Sequence, residues 1–433
     1  MSILTGKKAA FLTLGCKVNQ YETEGMRELL MAAGCRFVAF EDKADIYLVN
    51  TCSVTNIAER KSRQMLHKAK KQNPEAIVVA AGCYVQTVPQ EVLDDLAVDL
   101  VIGNNHKKEI VSILSDYYET HEKMSWDPVD TLTEYEDMQV TQMTEHVRTY
   151  VKIQDGCNQF CSYCIIPYVR GRIRSRLIPD IVKEVTVLAD KGCKEIILTG
   201  IHISSYGKDW KEETLRTSDL DGEHLLKLID QISRIEGILR IRLSSLEPRI
   251  MTDSFIEALS GYPKVCPHFH LSLQSACNAT LKRMNRKYTI EQYMACCEKL
   301  RQVYDRPAIT TDIIVGFPGE TTEEFDETVQ NLQKLNLYEI HVFKYSPRRG
   351  TAAEHMPDQI DPQEKNRRSD LLLDLTSRQK REFEKSFIGE EVEVLIEENH
   401  TGHTERYVKA VVPEAVCKEG DCINQLVRMI YQP

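Results

Sequence analysis

No stretch of this chain approaches the roughly 20 consecutive apolar residues that span a bilayer. Its first sixteen residues, MSILTGKKAAFLTLGC, place no long apolar run behind their lysines. A membrane anchor and a secretory leader are therefore not expected, and the protein is expected in the cytoplasm. Net positive charge is also missing. The chain carries 65 acidic against 55 basic side chains, a formal net of −10. That excludes a globally basic nucleic-acid coat and leaves only local basic patches for such a partner. The third deficit is chemical. Residues 155–167, DGCNQFCSYCIIP, hold Cys157, Cys161 and Cys164, but the next residues are Ile165, Ile166 and Pro167. Three thiolates stand together without a neighbouring fourth ligand.

The chain has 433 residues, 42% of them hydrophobic and 28% charged, enough for two to four domains with sizeable cores. Residues 1–115 alternate strand and helix patterns: KKAAFLTLGC, ADIYLVNTC, EAIVVAAGC and VDLVIGN read as strands with helical spacing between them. Repeated βα units predict a doubly wound parallel sheet. Residues 116–142 are acidic, polar and non-periodic, and read as a linker. In residues 143–373 the alternation resumes with six strand candidates: VRTYVKIQ, EIILTG, LRIRLSS, HFHLSLQ, AITTDIIVGFP and EIHVFKYSP. Six repeats are too few for a closed eight-stranded barrel, so a partial (β/α)6 barrel is expected. A charged helix follows, and residues 376–433 read as a small all-β, OB-like module.

Fourteen cysteines in a reducing compartment are not expected as disulfides; clustered ones point to metal and the rest to burial. Cys157 follows the first strand of the barrel-like segment, at the strand end where active sites of such folds sit. Iron–sulfur clusters normally take four thiolates, and zinc also takes four ligands. The C-x3-C-x2-C spacing therefore points to a [4Fe-4S] cluster with an open iron; a zinc knuckle closed by a distant residue is the alternative. A second trio lies in the N-terminal segment. Cys16, Cys52 and Cys83 each end an apolar strand: FLTLGC, YLVNTC, VVAAGC. In a parallel sheet those ends share one edge, where ligands bind, and nearby helix N-termini favour thiolates. A second three-ligand cluster is expected there.

With Tyr163 just before its last cysteine, the motif resembles that of the radical S-adenosylmethionine (radical SAM) superfamily. The resemblance implies that S-adenosylmethionine chelates the open iron. One-electron reduction then cleaves it to a radical that abstracts hydrogen from the substrate. It also implies cofactor contacts from Tyr163, from Gly200 of LTG, from Gln274 and Ser275 of LQSACN, from Gly316 of GFPGE and from Tyr345 of FKYSP. Two three-cysteine sites on one chain are similar to the methylthiotransferases of that superfamily. LGCKVNQYETE, VNTCSVT, AAGCYVQ, DIIVGFPGETTEEF and YSPRRGTAA carry the likeness over nearly the whole chain. The terminal module resembles the RNA-binding TRAM domain. LTGIHISSYGKD and DGCNQFCSYCIIPYVRGRIRSR look most like the branch acting on N6-threonylcarbamoyladenosine at position 37, beside the tRNA anticodon, and giving its 2-methylthio derivative. Sister branches act on isopentenyl-adenosine of tRNA or on a ribosomal-protein aspartate. Such an enzyme implies two [4Fe-4S] clusters, S-adenosylmethionine, tRNA and a one-electron donor such as flavodoxin or ferredoxin; a monomer is expected.

For RNA, the basic candidates are Lys68 and Lys71 on one helix and the ladder Arg170, Arg172, Arg174 and Arg176 behind the motif. An RNA-binding iron–sulfur carrier without turnover is the reading from a different class. The other cysteines show no convergent spacing; Cys417 and Cys422 form a C-x4-C in the terminal module, and His268 and His270 read as a packed pair.

Overall fold

The computed structural model describes residues 3–141, 147–210, 222–398, 400–416 and 422–432. The expected boundary at 142–143 and Cys417 lie outside the described residues. The chain divides into two compact units. One holds residues 1–142, 150–177 and 346–351; the other holds 143–149, 178–345 and 352–433. The motif-bearing segment therefore belongs with the N-terminal sheet, a grouping that linear boundaries do not express.

The first unit is built from β1 (Lys8–Thr13), α1 (Lys17–Ala32), β2 (Arg36–Phe37), β3 (Ile46–Thr51), α2 (Asn56–Gln72), β4 (Ile77–Gly82), α3 (Cys83–Thr87), α4 (Pro89–Leu93), β5 (Leu100–Ile102), α5 (Ile110–Thr120) and β6 (Met124–Ser125). The strands lie in the order β2-β1-β3-β4-β5-β6, all parallel. Every residue of β3 and β4 is buried, as parallel strands covered on both faces require. Ile46 and Leu48 enter one core with Tyr21, Met26 and Leu114. Tyr47 and Val49 enter the other with Leu66 and Ala69. The sheet is thus doubly wound, and its order reverses between β1 and β3, the switch point at which such folds bind ligands.

Residues 116–141 are not a linker. α5 runs to Thr120 and β6 adds a sixth parallel strand. Leu132, Met138 and Val140 are buried, the Tyr21 hydroxyl donates to the Met138 carbonyl, and Thr141 donates from both N–H and Oγ1 to Glu28. The few apolar residues here are spaced irregularly, so they carry no periodicity although they reach the core. The unit also takes in β7 (Arg148–Asp155) from Tyr150 onward, α6 (Ile166–Val169) and β8 (Arg174–Ser175). β8 pairs antiparallel with the end of β7.

The second unit continues with α7 (Ile178–Asp190), β9 (Glu195–Gly200), α8 (Glu223–Ser233), β10 (Arg240–Leu243), α9 (Asp253–Ser260), β11 (His268–His270), α10 (Asn278–Arg283), α11 (Ile290–Val303), β12 (Ala308–Val315), α12 (Thr322–Leu335) and β13 (Glu339–Lys344). β9 and β10 pair in parallel, as do β11, β12 and β13. Parallel bridges Ile241–Val265 and Leu246–Leu271 carry the succession from β10 toward β11. Capping boxes start α11 at Thr289 and α12 at Thr321, each satisfying two orphan N–H groups. With β7 these are the six strands read from the sequence.

α13 (Pro362–Lys385), capped by Asp361, leads to β14 (Glu391–Glu398), β15 (Thr401–Thr404), β16 (Lys409–Val411) and β17 (Leu426–Ile430). They form an antiparallel sheet in the order β16-β15-β14-β17 over a core of Val394, Ile396, Ala410 and Met429. β15 is an addition to the three strands read from sequence; four residues around a glycine give no alternating signal. Twelve described cysteines are reduced thiols, but Cys422 is disulfide-bonded, contrary to the expectation of none. Among the described residues no helix is long and apolar enough to cross a membrane.

Candidate functional site

The three N-terminal cysteines follow the C-terminal ends of β1, β3 and β4, which are neighbours in the sheet. Cys16 is the residue before α1 and Cys83 the first of α3, so both sit at helix N-termini, where backbone N–H groups favour anions. Cys52 and Cys83 are buried, and Cys16 reaches solvent. Burial pushes the Cys52 thiol up to about 12, with the nearby thiols of Cys83 and Cys16 adding to it. Cys16 likewise feels Cys83. The trio is therefore one electrostatic group. Gly15 has φ +102°, and a Cβ there would lie 2.8 Å from the Cys52 sulfur. Only glycine lets the first loop approach the second cysteine that closely.

Asn19, three residues after Cys16, stitches these loops. Its amide donates to the Leu14 carbonyl at 2.8 Å and to the Thr51 carbonyl at 2.9 Å, the residue before Cys52. Its Oδ1 accepts from Arg170 Nη2 at 2.7 Å. Arg170 is fully buried and spends every N–H it has. Nε donates to the Cys83 sulfur at 3.3 Å. Nη1 donates to Glu22 at 2.8 Å and to both oxygens of Asp155 at 3.1 and 3.0 Å. Nη2 donates to Asn19 and, at 3.2 Å, to Glu22.

Around Arg170 lies a buried ion network. Glu22 also accepts from Lys107 and, at 2.8 Å, from Lys152. Lys152 reaches Asp155 at 2.7 Å, and Arg174 stands 3.8 Å from it. Burial alone would raise the Glu22 carboxyl, but Arg170, Lys107 and Lys152 hold it well below the carboxylate range. Lys107, Lys152, Arg170, Arg174, Glu22 and Asp155 are each at most 3% exposed. Four cations thus face two carboxylates, a net of two positive charges in the interior. An uncompensated buried charge is among the most expensive features a protein can carry. Of the groups that can supply negative charge, Cys83 touches Arg170 directly, and Cys16 and Cys52 lie within its electrostatic reach. Three thiolates holding a metal–sulfur cluster carry net negative charge and offset part of this excess, whereas three neutral thiols offset none of it. On donor set and charge, the residues fit an anionic iron–sulfur cluster.

The second trio belongs to the same unit. Cys157 and Cys161 are buried and Cys164 is half-buried. The loop is tied by Cys157 N–H to the Gly171 carbonyl and Cys164 N–H to the Cys161 carbonyl, both at 3.0 Å. The Gln159 N–H donates to the Cys157 sulfur at 3.4 Å, a contact that favours a thiolate. Phe160, inside the motif, sits at φ +47°, backbone strain of the kind that collects at functional sites. Gly156 has φ +70°, and a Cβ there would meet the Arg172 carbonyl oxygen at 1.8 Å. Gly156→Ala is expected to displace the loop and disrupt the candidate metal site of Cys157, Cys161 and Cys164. The φ cost alone is about 1–2 kcal/mol, and the backbone clash adds to it. Iron content and reductive cleavage of S-adenosylmethionine measure the loss; full retention of both would contradict this geometry.

The arginine ladder is not a phosphate-binding surface. Arg170, Arg174 and Arg176 are buried; Arg174 donates to the carbonyls of Leu132 and Arg170 at 3.1 and 2.7 Å, and Arg176 pairs with Asp137 at 2.6 Å. The pairing of β8 with β7 carries Arg174 into the packed segment around Leu132, while Arg170 is held by Glu22 and Asp155 and Arg176 by Asp137. Arg172 alone of the four is exposed, with its guanidinium 4.5 Å from the Phe160 ring centroid. On α2, Lys71 is exposed, whereas Lys68 pairs with Glu41 at 3.1 Å. From the distant 346–351 segment, Arg348 donates to the Ser53 carbonyl and to Asn56 and pairs with Glu59 at 2.9 Å, bracing the loop after Cys52.

In the second unit, Gly200 ends β9 half-buried, and Tyr163, in the first, is half-buried too. Gln274 adopts φ +74°, with its N–H on the Asp312 carbonyl at 2.8 Å. Ser275 does not offer its hydroxyl to a cofactor: it is fully buried, 3.5 Å from Thr328 Oγ1, and accepts from the Cys277 N–H at 3.3 Å. The Gly316 N–H is taken by Glu320 at 2.7 Å, so that backbone group shapes its own turn. Tyr345 is buried on Phe317, ring centroids 5.3 Å apart, and its hydroxyl has no hydrogen-bond partner among the described residues. Sequence reasoning missed a strand-end group. His202 contacts Glu247 at 2.8 Å and Ser205 at 2.5 Å, and Arg249 holds Glu247 at 2.7 Å. Burial opposes ionisation of Glu247, yet these two partners bring its carboxyl down to about 2. His270 is bonded to Thr310 and Asp312 at 3.0 and 3.2 Å and stacks on His341, whereas His268 stacks on Tyr407, so the two are not paired with each other.

Residues 151–332 match the radical SAM superfamily, and residues 8–103 match the uncharacterized protein family UPF0004. The threonylcarbamoyladenosine tRNA methylthiotransferase MtaB of Bacillus subtilis (strain 168) is 41% identical, over 93% of this chain and 89% of its own length. The protein of the same description from Aquifex aeolicus (strain VF5) is 40% identical, over 93% of this chain and 95% of its own. The tRNA-2-methylthio-N(6)-dimethylallyladenosine synthase of Acetivibrio thermocellus is 36% identical, over 91% and 82%. Among solved structures, the radical S-adenosylmethionine methyltransferase TsrM from Kitasatospora setae, with cobalamin and a [4Fe-4S] cluster bound, superposes with a TM-score of 0.59. It is 14% identical, over 81% of this chain and 77% of its own, a likeness of fold alone. On the length and identity of these matches, the chain belongs to the radical SAM methylthiotransferase family.

Proposed function

We propose that this chain is a tRNA methylthiotransferase that converts N6-threonylcarbamoyladenosine at position 37, beside the anticodon, to its 2-methylthio derivative. The substrate reading is supported by the relatives of that description at 36–41% identity. The two-cluster reading is carried by one observation: Cys16, Cys52 and Cys83 sit at adjacent strand ends against an interior with two excess positive charges. In this reading Cys157, Cys161 and Cys164 would hold one [4Fe-4S] cluster, with S-adenosylmethionine bound beside it. Cys16, Cys52 and Cys83 hold the other. Together these groups supply one-electron cleavage, hydrogen abstraction at an unactivated C–H bond, and sulfur and methyl for insertion.

The protein's own residues do the remaining work. Asn19 and Arg170 fix the three loops of the N-terminal trio. The Gly156 turn sets the entry to the other. Arg60, Lys61, Arg63 and Lys71 of α2, with Arg172, form the exposed basic surface available to phosphates, and the terminal β module serves as the TRAM-like RNA contact. A one-electron donor such as flavodoxin or ferredoxin, a monomeric state and a cytoplasmic location complete the reading.

Mass spectrometry of tRNA nucleosides from cells lacking this protein tests it. Loss of 2-methylthio-N6-threonylcarbamoyladenosine is expected, with restoration by the intact gene. Loss of the isopentenyl-adenosine derivative instead would refute the substrate assignment and place the chain in a sister branch.

A further inference from the structure

The geometry points to Arg170 as the residue that sets the reduction potential of the cluster held by Cys16, Cys52 and Cys83. It does so through its Nε–H hydrogen bond to the Cys83 sulfur. The inference rests on the assignment of a cluster to that trio. It goes beyond that assignment by giving one named side chain an electronic role.

Arg170 reaches Cys83 from the segment behind the C-x3-C-x2-C motif, 87 residues away in sequence. Its other four N–H groups are held by Glu22, Asp155 and Asn19, so the guanidinium has no rotational freedom left. It is fully buried, and its charge acts on Cys16 and Cys52 as well. Hydrogen bonds to ligand sulfurs and local charge are among the protein's main levers on iron–sulfur potentials. Adding an electron makes the cluster more negative. A fixed N–H at a ligand sulfur, backed by a buried positive charge, stabilises that reduced state more than the oxidised one. Removing the donor must shift the midpoint to more negative values. The same guanidinium grips Asp155, two residues before Cys157. The charge that tunes one cysteine site is thus anchored to the strand bearing the other.

The experiment uses the full chain carrying Cys157→Ala, Cys161→Ala and Cys164→Ala, so that only the N-terminal trio binds a cluster. Potentiometric titration followed by electron paramagnetic resonance gives its midpoint. Arg170→Lys keeps a positive charge but loses the planar fork and the Nε donor. The expected shift is negative by at least about 59 mV, a tenfold change in the one-electron equilibrium. A midpoint unchanged by Arg170→Lys overturns the inference. Where Arg170→Lys holds no cluster, arginine labelled with 15N in the guanidino group decides, in protein with Arg170 intact. A 15N coupling to the reduced cluster supports the hydrogen bond, and its absence overturns it. If the triple-cysteine variant binds no iron at all while folding normally, the cluster assignment to the trio fails, and this inference fails with it.

Discussion

Cys83→Ala is expected to lower the iron of the reconstituted protein from about eight atoms per chain to about four, the content of one four-iron cluster, and to abolish methylthiolation of tRNA. Reductive cleavage of S-adenosylmethionine persists, because Cys157, Cys161 and Cys164 lie on a different loop with its own backbone ties. Cys83 is the best target of its trio. It is buried, it begins α3, and it takes the Arg170 bond. With two protein thiolates left, the cluster loses a third of its protein ligation, and Arg170 loses its anionic partner. Iron and sulfide analysis, with quantitation of 5′-deoxyadenosine and of modified tRNA, separates the two sites. Retention of eight iron atoms by Cys83→Ala would remove Cys83 from the ligand set. Loss of cleavage activity together with the modification would show that the trios are not independent.

Glu22→Gln is expected to destabilise the first unit by about 3–5 kcal/mol, the cost of breaking a buried charge network on one side. Glu22 is the shared acceptor of Lys107, Lys152 and Arg170, and it is 1% exposed. The substitution keeps shape and one oxygen but leaves Asp155 to face Lys152, Arg170 and Arg174, while Lys107 loses its carboxylate partner. At roughly 2–4 °C per kcal/mol for a domain of this size, the melting temperature falls by at least about 6 °C. Adding Lys107→Met to Glu22→Gln removes one stranded cation and recovers part of the loss; a double-mutant cycle reads the coupling directly. A change within about 0.5 kcal/mol, typical of surface positions, would mean that the network is not a compensated buried charge system.

The two predictions mark different depths of legibility. Cys83 was visible from sequence because a cysteine closing an apolar run before a helix is a local pattern, and it occurs three times. Glu22 was not. It sits in an amphipathic helix start, LGCKVNQYETE, among other acidic residues, and nothing local distinguishes it from half-buried Glu24. Its partners lie 85, 130 and 148 positions away, and that pairing exists only once β7 and the N-terminal sheet share one unit. The arginine ladder failed for the same reason. Alternating arginines read as a charged surface, because a buried arginine is improbable until its carboxylate partners are known. The packed 116–141 segment was misread because a handful of core residues at irregular spacing gives no periodic signal.

The sequence by itself determined the two cysteine trios, the parallel βα architecture of both α/β segments and the antiparallel terminal module. Each follows from local spacing, hydrophobic period or turn residues. Only the tertiary structure decided what surrounds the chemistry. It placed Arg170 on Cys83 instead of on RNA, made Asn19 the staple of two cysteine loops, and left two buried positive charges for an anionic cluster to balance. These depend on contacts between residues far apart in the chain, and burial, which sets the cost of every charge, is a property of the folded whole.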